Sequence, residues 1–379
     1  MDYIKRYLDV RAILKEKSCF VFGPRQTGKS ALIKKEFKDH KIYNLLDKDV
    51  FRTLNHDPTL IRKELKPNDR ILIIAEIQKI PDLLDEVHLM IEDFQIKFLL
   101  TGSSARTLKR KGVNMLGGRA RSRHLHPFIF SELEDRFELN KACNVGLLPS
   151  IYFSSSPWED LKAYVDDYLK EEIAAEAVVR NLGAFCRFLD VAGYCHGKII
   201  NYTNVSNDAQ VHLNTVREYF RILSDTMLGF EIPAFKRSLK RKPISTSKFY
   251  FFDIGVANYL QSRKKLGPKS SEFGDAFETF IMQELVAYRS YKLIDNLHYW
   301  RSKSNFEVDF VLDEKIAIEV KAKEHISEHD LKGIRAFKEE NLMKNYIVVS
   351  LQKTETKDGD IRILPWNIFL SELWSDSFN

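Results

Sequence analysis

The chain has 379 residues, 44% hydrophobic and 30% charged, with 26 Phe and 15 Tyr; this excludes a disordered chain and supplies apolar material for two or three domain cores. No apolar run approaches the roughly 20 residues that span a bilayer, and the opening MDYIKRYLDV is charged throughout with no apolar signal core, so a cytoplasmic protein without a membrane partner is expected. Lys and Arg outnumber Asp and Glu by 59 to 53, a net charge of +6, and the excess is uneven. Gly102 to Phe130 holds no acid but has Arg106, Lys109, Arg110, Lys111, Arg119, Arg121 and Arg123. Ile232–Lys248, also acid-free, holds Lys236, Arg237, Lys240, Arg241, Lys242 and Lys248. Such runs point to phosphate-bearing partners, either nucleotide or nucleic acid. The cysteines at 19, 143, 186 and 195 form no CxxC pair, and Cys186, Cys195 and His196 fit no common zinc spacing. They read as reduced, mostly buried thiols.

In chain order, 18–22 (SCFVF) is a short strand, GPRQTGKS a glycine-bearing loop, and ALIKKEF the start of a helix. Residues 41–46 and 71–75 read as strands, 82–94 as a helix, and 96–100 as a strand entering TGSS. This alternation implies an α/β fold with a mostly parallel sheet covered on both faces. Pro157 opens a helical stretch over 158–195, and 203–235 carries two short helical patterns before a strand-turn-strand around the second basic run. After a polar linker at 261–271 come a helix at 272–289, strands near 297–301, 306–312 and 315–321, a helix at 328–339 and a strand at 344–351. The expected domains are 1–150 (nucleotide binding), 151–200 (helical lid), 201–262 (winged helix) and 263–379 (nuclease-like).

Gly23-Pro24-Arg25-Gln26-Thr27-Gly28-Lys29-Ser30 is a complete GxxxxGK[ST] motif between a strand and a helix, with Ala31 continuing the helix. Its backbone N–H groups and helix N-terminus suit the phosphates of ATP. Lys29 suits the outer phosphates, and the Ser30 hydroxyl suits Mg2+. A P-loop enzyme also needs an acid at the end of a neighbouring buried strand to hold the magnesium shell, and AAA-type enzymes add a glutamate to polarise water. In Ile71-Leu-Ile-Ile-Ala75-Glu76 the glutamate is present, while Ala75 stands where the aspartate is expected, whether natural or introduced. Turnover should therefore fall more than nucleotide binding. Ser103, after the next strand, can sense the γ-phosphate. Arg119, in LGGRARSR, is the candidate arginine finger towards a neighbouring subunit, or else a surface arginine.

Leu213, Val216, Phe220 and Leu223 recur at helical spacing. A short helix precedes them and a basic hairpin follows, which is the order of a winged helix. In a DNA-binding version the second helix, with Arg217, enters the major groove, and Lys236, Arg237, Lys240, Arg241 and Lys242 on the wing meet phosphate. A wing used only for packing between domains is the alternative. Further on, FEVDFVL centres Asp309 on one strand and KIAIEVKA puts Glu319 and Lys321 on one face of the next. Asp309 and Glu319 can hold a divalent cation, Lys321 can polarise a phosphate, and Glu278 on the preceding helix can complete the site. The competing reading is a remnant salt-bridge cluster. The order helix, three strands, helix, strand with D…ExK is that of a restriction-endonuclease-like PD-(D/E)XK core.

On GPRQTGKS, IIAEIQ, FLLTGSS, LGGRA, LHPF, GLLPSIY, TVREYFRIL, KFYFFDIGVANYL, YWR, EVDFVL and IEVK, the chain resembles prokaryotic AAA-type ATPases with a C-terminal domain of formerly unknown function containing a nuclease-like core. The resemblance implies an N-terminal AAA module, a winged helix and a nuclease-like domain in a homo-oligomeric ring such as a hexamer. Ala75 departs from the family pattern. Two functions follow: an ATP-driven DNA-processing motor, or a signalling or scaffold ATPase whose nuclease-like core is an inert interaction module.

Overall fold

Every residue of Ser18–Phe22 (β1) is buried, as befits a strand paired on both sides and covered on both faces. The computed structural model describes residues 3–110, 115–169, 181–238 and 240–378. In it β1 belongs to a five-stranded sheet with β2 (Lys41–Asn44), β3 (Ile71–Ala75), β4 (Lys97–Gly102) and β5 (Ala120–His124), in the order β2-β3-β4-β1-β5. All four pairings are parallel. The C-terminal ends of the strands therefore share one edge, and the loops after Phe22, Ala75 and Gly102 leave from it. Phe20, Phe22, Leu72, Ile74, Phe98 and Leu100 pack in one core with Leu83, Val87 and Met90 of helix Leu83–Phe94.

β5 was not legible in the sequence. Its residues, ARSRH, carry no apolar period, and among the described residues the strand pairs with β1 alone. Arginines on an edge strand blunt it against pairing with other chains. Lys111, expected in the same basic run, lies outside the described residues.

The chain packs into two compact units. One runs to Phe128 and includes Asp225–Met227; the other comprises Ile129–Ser224 and Leu228–Asn379. Residues 129–150 fall in the second unit because their backbone is bonded there. Asn258 donates to the carbonyls of Cys143 and Asn144 at 2.9 and 3.0 Å, and the Leu147 N–H reaches Asp253 at 2.8 Å.

In the second unit, the described part of the expected helical stretch forms an α-helix (Pro157–Ala163), a π-helical segment (Tyr164–Leu169) and a further helix (Leu182–Tyr194) capped by Asn181, while 170–180 lie outside the described residues. Then come β6 (Lys198–Ile199), helices Tyr202–Ala209 and Leu213–Asp225, β7 (Gly229–Ile232) and β8 (Lys248–Phe251). These strands form an antiparallel sheet ordered β6-β8-β7, and Phe185, Phe188, Phe220 and Phe249 fill its core.

Helix Ser271–Lys292, capped by the Ser270 hydroxyl, leads into β9 (Leu297–Arg301), β10 (Glu307–Leu312) and β11 (Ile316–Lys321). The six-stranded sheet is completed by β12 (Asn345–Ser350), β13 (Thr356–Asp358) and β14 (Ile361–Pro365), in the order β13-β14-β12-β11-β10-β9. β9, β10 and β11 run antiparallel, whereas β11, β12 and β14 run parallel. The helix expected at 328–339 is shorter, Lys332–Lys338, because Asp330 accepts both the N–H and the hydroxyl of Ser327 and closes a turn there. β13, β14 and the final helix Trp366–Trp374 were not read from the sequence.

Candidate functional site

The loop between β1 and helix Lys29–Glu36 is shaped by its glycines. Gly28 sits at φ +100°, a conformation that L side chains rarely adopt, and forms the N-cap of the helix. A Cβ on Gly23 would lie 2.4 Å from the Leu125 carbonyl oxygen, so only glycine fits this close approach. Thr27 is buried and donates its hydroxyl to the Pro24 carbonyl at 2.8 Å. Lys29 is buried too, and its ammonium donates to the carbonyls of Gly23 and Pro24 at 2.5 and 2.9 Å. The cation thus already lies inside the loop, where an anionic phosphate would compete with two neutral carbonyls. Arg25, Gln26, Ser30 and Ala31 are exposed around it.

At the same sheet edge, β3 ends in Ala75, which is level with Thr101 of β4. Glu76 follows with φ +63°, a left-handed conformation costing a non-glycine residue about 1 kcal/mol. This bend turns the carboxylate towards Gln78, whose amide donates to Glu76 at 2.7 Å and to the Ser103 hydroxyl at 3.3 Å. Glu76 and Ser103, expected from the sequence, are therefore brought together by Gln78, which sequence reasoning missed. Arg119 stands elsewhere: it immediately precedes β5, whose Ala120 is level with Ser18 at the start of β1. It is on the sheet edge opposite the loop and pairs with Glu92.

The basic loop between β7 and β8 is folded against the six-stranded sheet. Phe235 and Ile244 donate their N–H groups to the carbonyls of Tyr299 and Arg301 at 2.7 and 2.8 Å. Arg237 pairs with Glu314, and Arg241 pairs with Glu339 at 2.7 Å while also donating to the Ala336 carbonyl at 2.9 Å. The Lys240 ammonium donates to the Glu339 carbonyl at 2.6 Å, and Glu340 accepts the backbone N–H of Lys240 and Arg241 at 2.8 and 3.0 Å. Three of the five wing cations expected at a DNA backbone are thus engaged within the protein. Lys236 and Lys242 are exposed. So is Arg217, whose guanidinium lies 5.6 Å from the centre of the Tyr202 ring.

The second cluster is built from β8, helix Ser271–Lys292, β10 and β11. Asp309 and Glu319 are buried, at 7% and 5% exposure. Asp309 accepts the Val320 N–H at 2.8 Å, and Lys321 pairs with Glu319 at 2.5 Å, as residues two apart on a strand can. Glu319 Oε2 is buried with no hydrogen-bond partner. Burial pushes the Glu319 carboxyl well above the usual range, and Asp309 pushes it the same way. Burial works against the Lys321 ammonium, but Asp309 and Glu319 outweigh it and raise its pKa. Glu278 is engaged differently. Tyr250 donates to it at 2.5 Å, and Lys248, itself paired with Glu307 at 2.5 Å, lies 3.6 Å away. Burial lifts Glu278 to about 7, and Lys248 opposes the rise.

Among the described residues no group of three His, Cys, Asp or Glu side chains is arranged to hold a metal ion, so Glu278 does not join Asp309 and Glu319 as a third ligand. Those two carboxylates, with the orphaned Glu319 oxygen, are a donor set that fits a hard divalent cation. Sequence reasoning placed Lys248 only in the basic run and missed Tyr250 and Glu307. The available signal was a lysine opening the otherwise aromatic strand KFYF.

The loop and the strand-end cluster lie within the first of three regions that match known families. Residues 15–134 match an AAA domain. The match supports an AAA-type P-loop ATPase, a kind that uses nucleotide and usually Mg2+. Residues 136–267 and 273–369 match two domains of unknown function, DUF8612 and DUF4143. No curated protein matches the chain. The three matched regions meet near residues 135 and 270. No helix among the described residues is long and apolar enough to cross a membrane.

Proposed function

We propose that the chain is an ATP-dependent, DNA-processing ATPase of the AAA kind, working as a homo-oligomeric ring with a nuclease-like C-terminal domain. The observation that carries this reading is the phosphate loop, with Lys29 poised inside it and Glu76 and Ser103 joined through Gln78 at the ends of neighbouring strands. ATP would lie along Gly23–Ala31, and Ser30 would ligate Mg2+. Ala75 leaves the metal without its strand-end carboxylate, so hydrolysis would be slow relative to binding. Arg119 would act only across a subunit boundary, since it stands on the far edge from its own loop.

The helix–helix–hairpin order and the β6-β8-β7 sheet support a winged helix. Arg217, Lys236 and Lys242 would supply its contacts to DNA phosphates, and Arg237, Lys240 and Arg241 would join them only on release from their carboxylates. In the C-terminal domain, Asp309 and Glu319 would hold the divalent cation and Lys321 would stabilise charge on the scissile phosphate. Plasmid nicking with Mg2+ or Mn2+ tests this part: activity in the unaltered chain and its loss in both Asp309→Ala and Lys321→Ala support a nuclease. Equal nicking in all three refutes the assignment.

A second reading, a signalling or scaffold ATPase, is favoured by the engagement of Arg237 and Arg241 with Glu314 and Glu339. On that reading the wing is packing and DNA affinity is absent.

A further inference from the structure

Arg6 precedes every motif in the chain, yet its side chain reaches the phosphate loop. It is 5% exposed, and its guanidinium donates to three backbone carbonyls: Thr27 at 2.5 Å, His126 at 2.7 Å and Pro127 at 3.1 Å. The group also lies 5.1 Å from the centre of the Phe128 ring. The fork geometry of arginine is what permits this: one planar cation can serve several acceptors at fixed angles, which an ammonium on a flexible stem does less well.

The acceptors are not arbitrary. Thr27 is the residue before Gly28 in the loop, and 126–127 continue the segment after β5 that backs the loop from behind. There the Leu125 N–H donates to the Phe22 carbonyl at 2.7 Å, and the Leu125 carbonyl crowds Gly23. Arg6 therefore ties one wall of the loop to the segment after β5 that supports the other.

The bond to Thr27 also fixes a direction. In a trans peptide the C=O and the N–H point to opposite sides. Holding the Thr27 carbonyl on Arg6 aims the N–H of Gly28 away from Arg6. That N–H belongs to the N-cap residue, which as a glycine adopts its φ of +100° without Cβ resistance. Glycine makes the conformation possible, and a bond at the preceding carbonyl selects it.

We propose that Arg6 is a positioning residue for nucleotide binding. It presents the Gly28 N–H to the phosphates of a nucleoside di- or triphosphate by clamping the Thr27–Gly28 peptide. The proposal rests on the reading of Gly23–Ser30 as a nucleotide site and adds to it a residue outside the motif.

The test uses the full chain and compares Arg6→Ala and Arg6→Lys with Arg11→Ala, an exposed arginine in the same segment. Hydrogen exchange of amides 26–29 is measured without nucleotide, the affinity for MgADP is measured by calorimetry, and the unfolding midpoint is recorded for each variant. The expected result for Arg6→Ala is faster exchange confined to the loop and MgADP binding weakened by at least about tenfold, the scale of one charge-assisted hydrogen bond. Arg6→Lys, which keeps the charge but not the fork, should fall between Arg6→Ala and the unaltered chain in both measurements even if Arg6→Ala does not fold. Loop exchange at the native rate, or undiminished MgADP affinity in a folded Arg6 variant, would overturn the proposal. Failure of the unaltered chain to bind MgADP would refute the nucleotide reading and the proposal's functional half together. Loop exchange would then show only whether Arg6 anchors the backbone.

Discussion

Replacing Glu314 and Glu339 together by Gln should turn the loop between β7 and β8 into a stronger phosphate-binding element. Glu314 pairs with Arg237, whose side chain is 71% exposed, and Glu339, at 56% exposure, pairs with Arg241. The other members, Glu314 at 25% and Arg241 at 23% exposure, are partly buried; pairs that reach solvent on one side contribute about 1 kcal/mol each, and glutamine keeps the shape, so the fold should survive the change. Glu340 is left intact because it accepts two backbone N–H groups that would otherwise lose their partner. With Arg237 freed of its carboxylate and Arg241 leaving the Ala336 carbonyl as well, two guanidiniums that each meet a phosphate steepen the plot of log affinity against log salt by about 1.8, at about 0.9 per contact. Across a fourfold change in salt, roughly 50 to 200 mM, this is an extra loss of about tenfold in affinity for duplex DNA. Fluorescence anisotropy titrations on both proteins over that range measure it. A slope equal to that of the unaltered chain would refute the reasoning and favour the scaffold reading.

Two further outcomes are expected. Glu284 is buried and lifted by burial to about 8, although the Phe130 N–H and the Trp374 indole donate to it at 2.6 and 2.8 Å. Its folded value lies above that of an unfolded glutamate, near 4.3. The stability it contributes is therefore complete below that value and is lost as pH rises through about 8. Urea unfolding at a series of pH values should show this fall, and Glu284→Gln should flatten it; an unchanged profile would contradict the assignment. Addition of a non-hydrolysable ATP analogue should shift the mass in solution from smaller species to a closed ring, and a strictly monomeric chain with and without it would exclude a trans role for Arg119.

Local signals were legible in the sequence and long-range ones were not. The glycine and lysine spacing of Gly23–Ser30 announces its own geometry, since the turn, the cap and the buried lysine all lie within eight residues. The apolar runs of β1, β3 and β4 mark strands covered on both faces, and the shared face of Glu319 and Lys321 follows from period two, whereas the placing of Asp309 beside Glu319 depends on the register of two strands. β5 was hidden because an arginine-rich edge strand has no hydrophobic period. The basic run at 232–248 was correctly read as strand-turn-strand, but its docking depends on Glu314, Glu339 and Glu340, some 77 to 100 residues away. Glu278 was placed with the right neighbours but with the wrong partners, because Lys248 and Tyr250 arrive from a strand in another matched region. Arg6 lay outside every motif, and only the folded chain shows what it holds.

The central claim is a nucleotide-binding loop coupled to slow hydrolysis, and the direct measurement is MgATP binding together with phosphate release by the unaltered chain, Lys29→Ala and Ala75→Asp. The unaltered chain should bind MgATP and hydrolyse it slowly. Lys29→Ala should no longer bind, and Ala75→Asp should release phosphate at least about tenfold faster, the scale of one restored charge-assisted contact. Vigorous hydrolysis by the unaltered chain, or binding that survives Lys29→Ala undiminished, would contradict it.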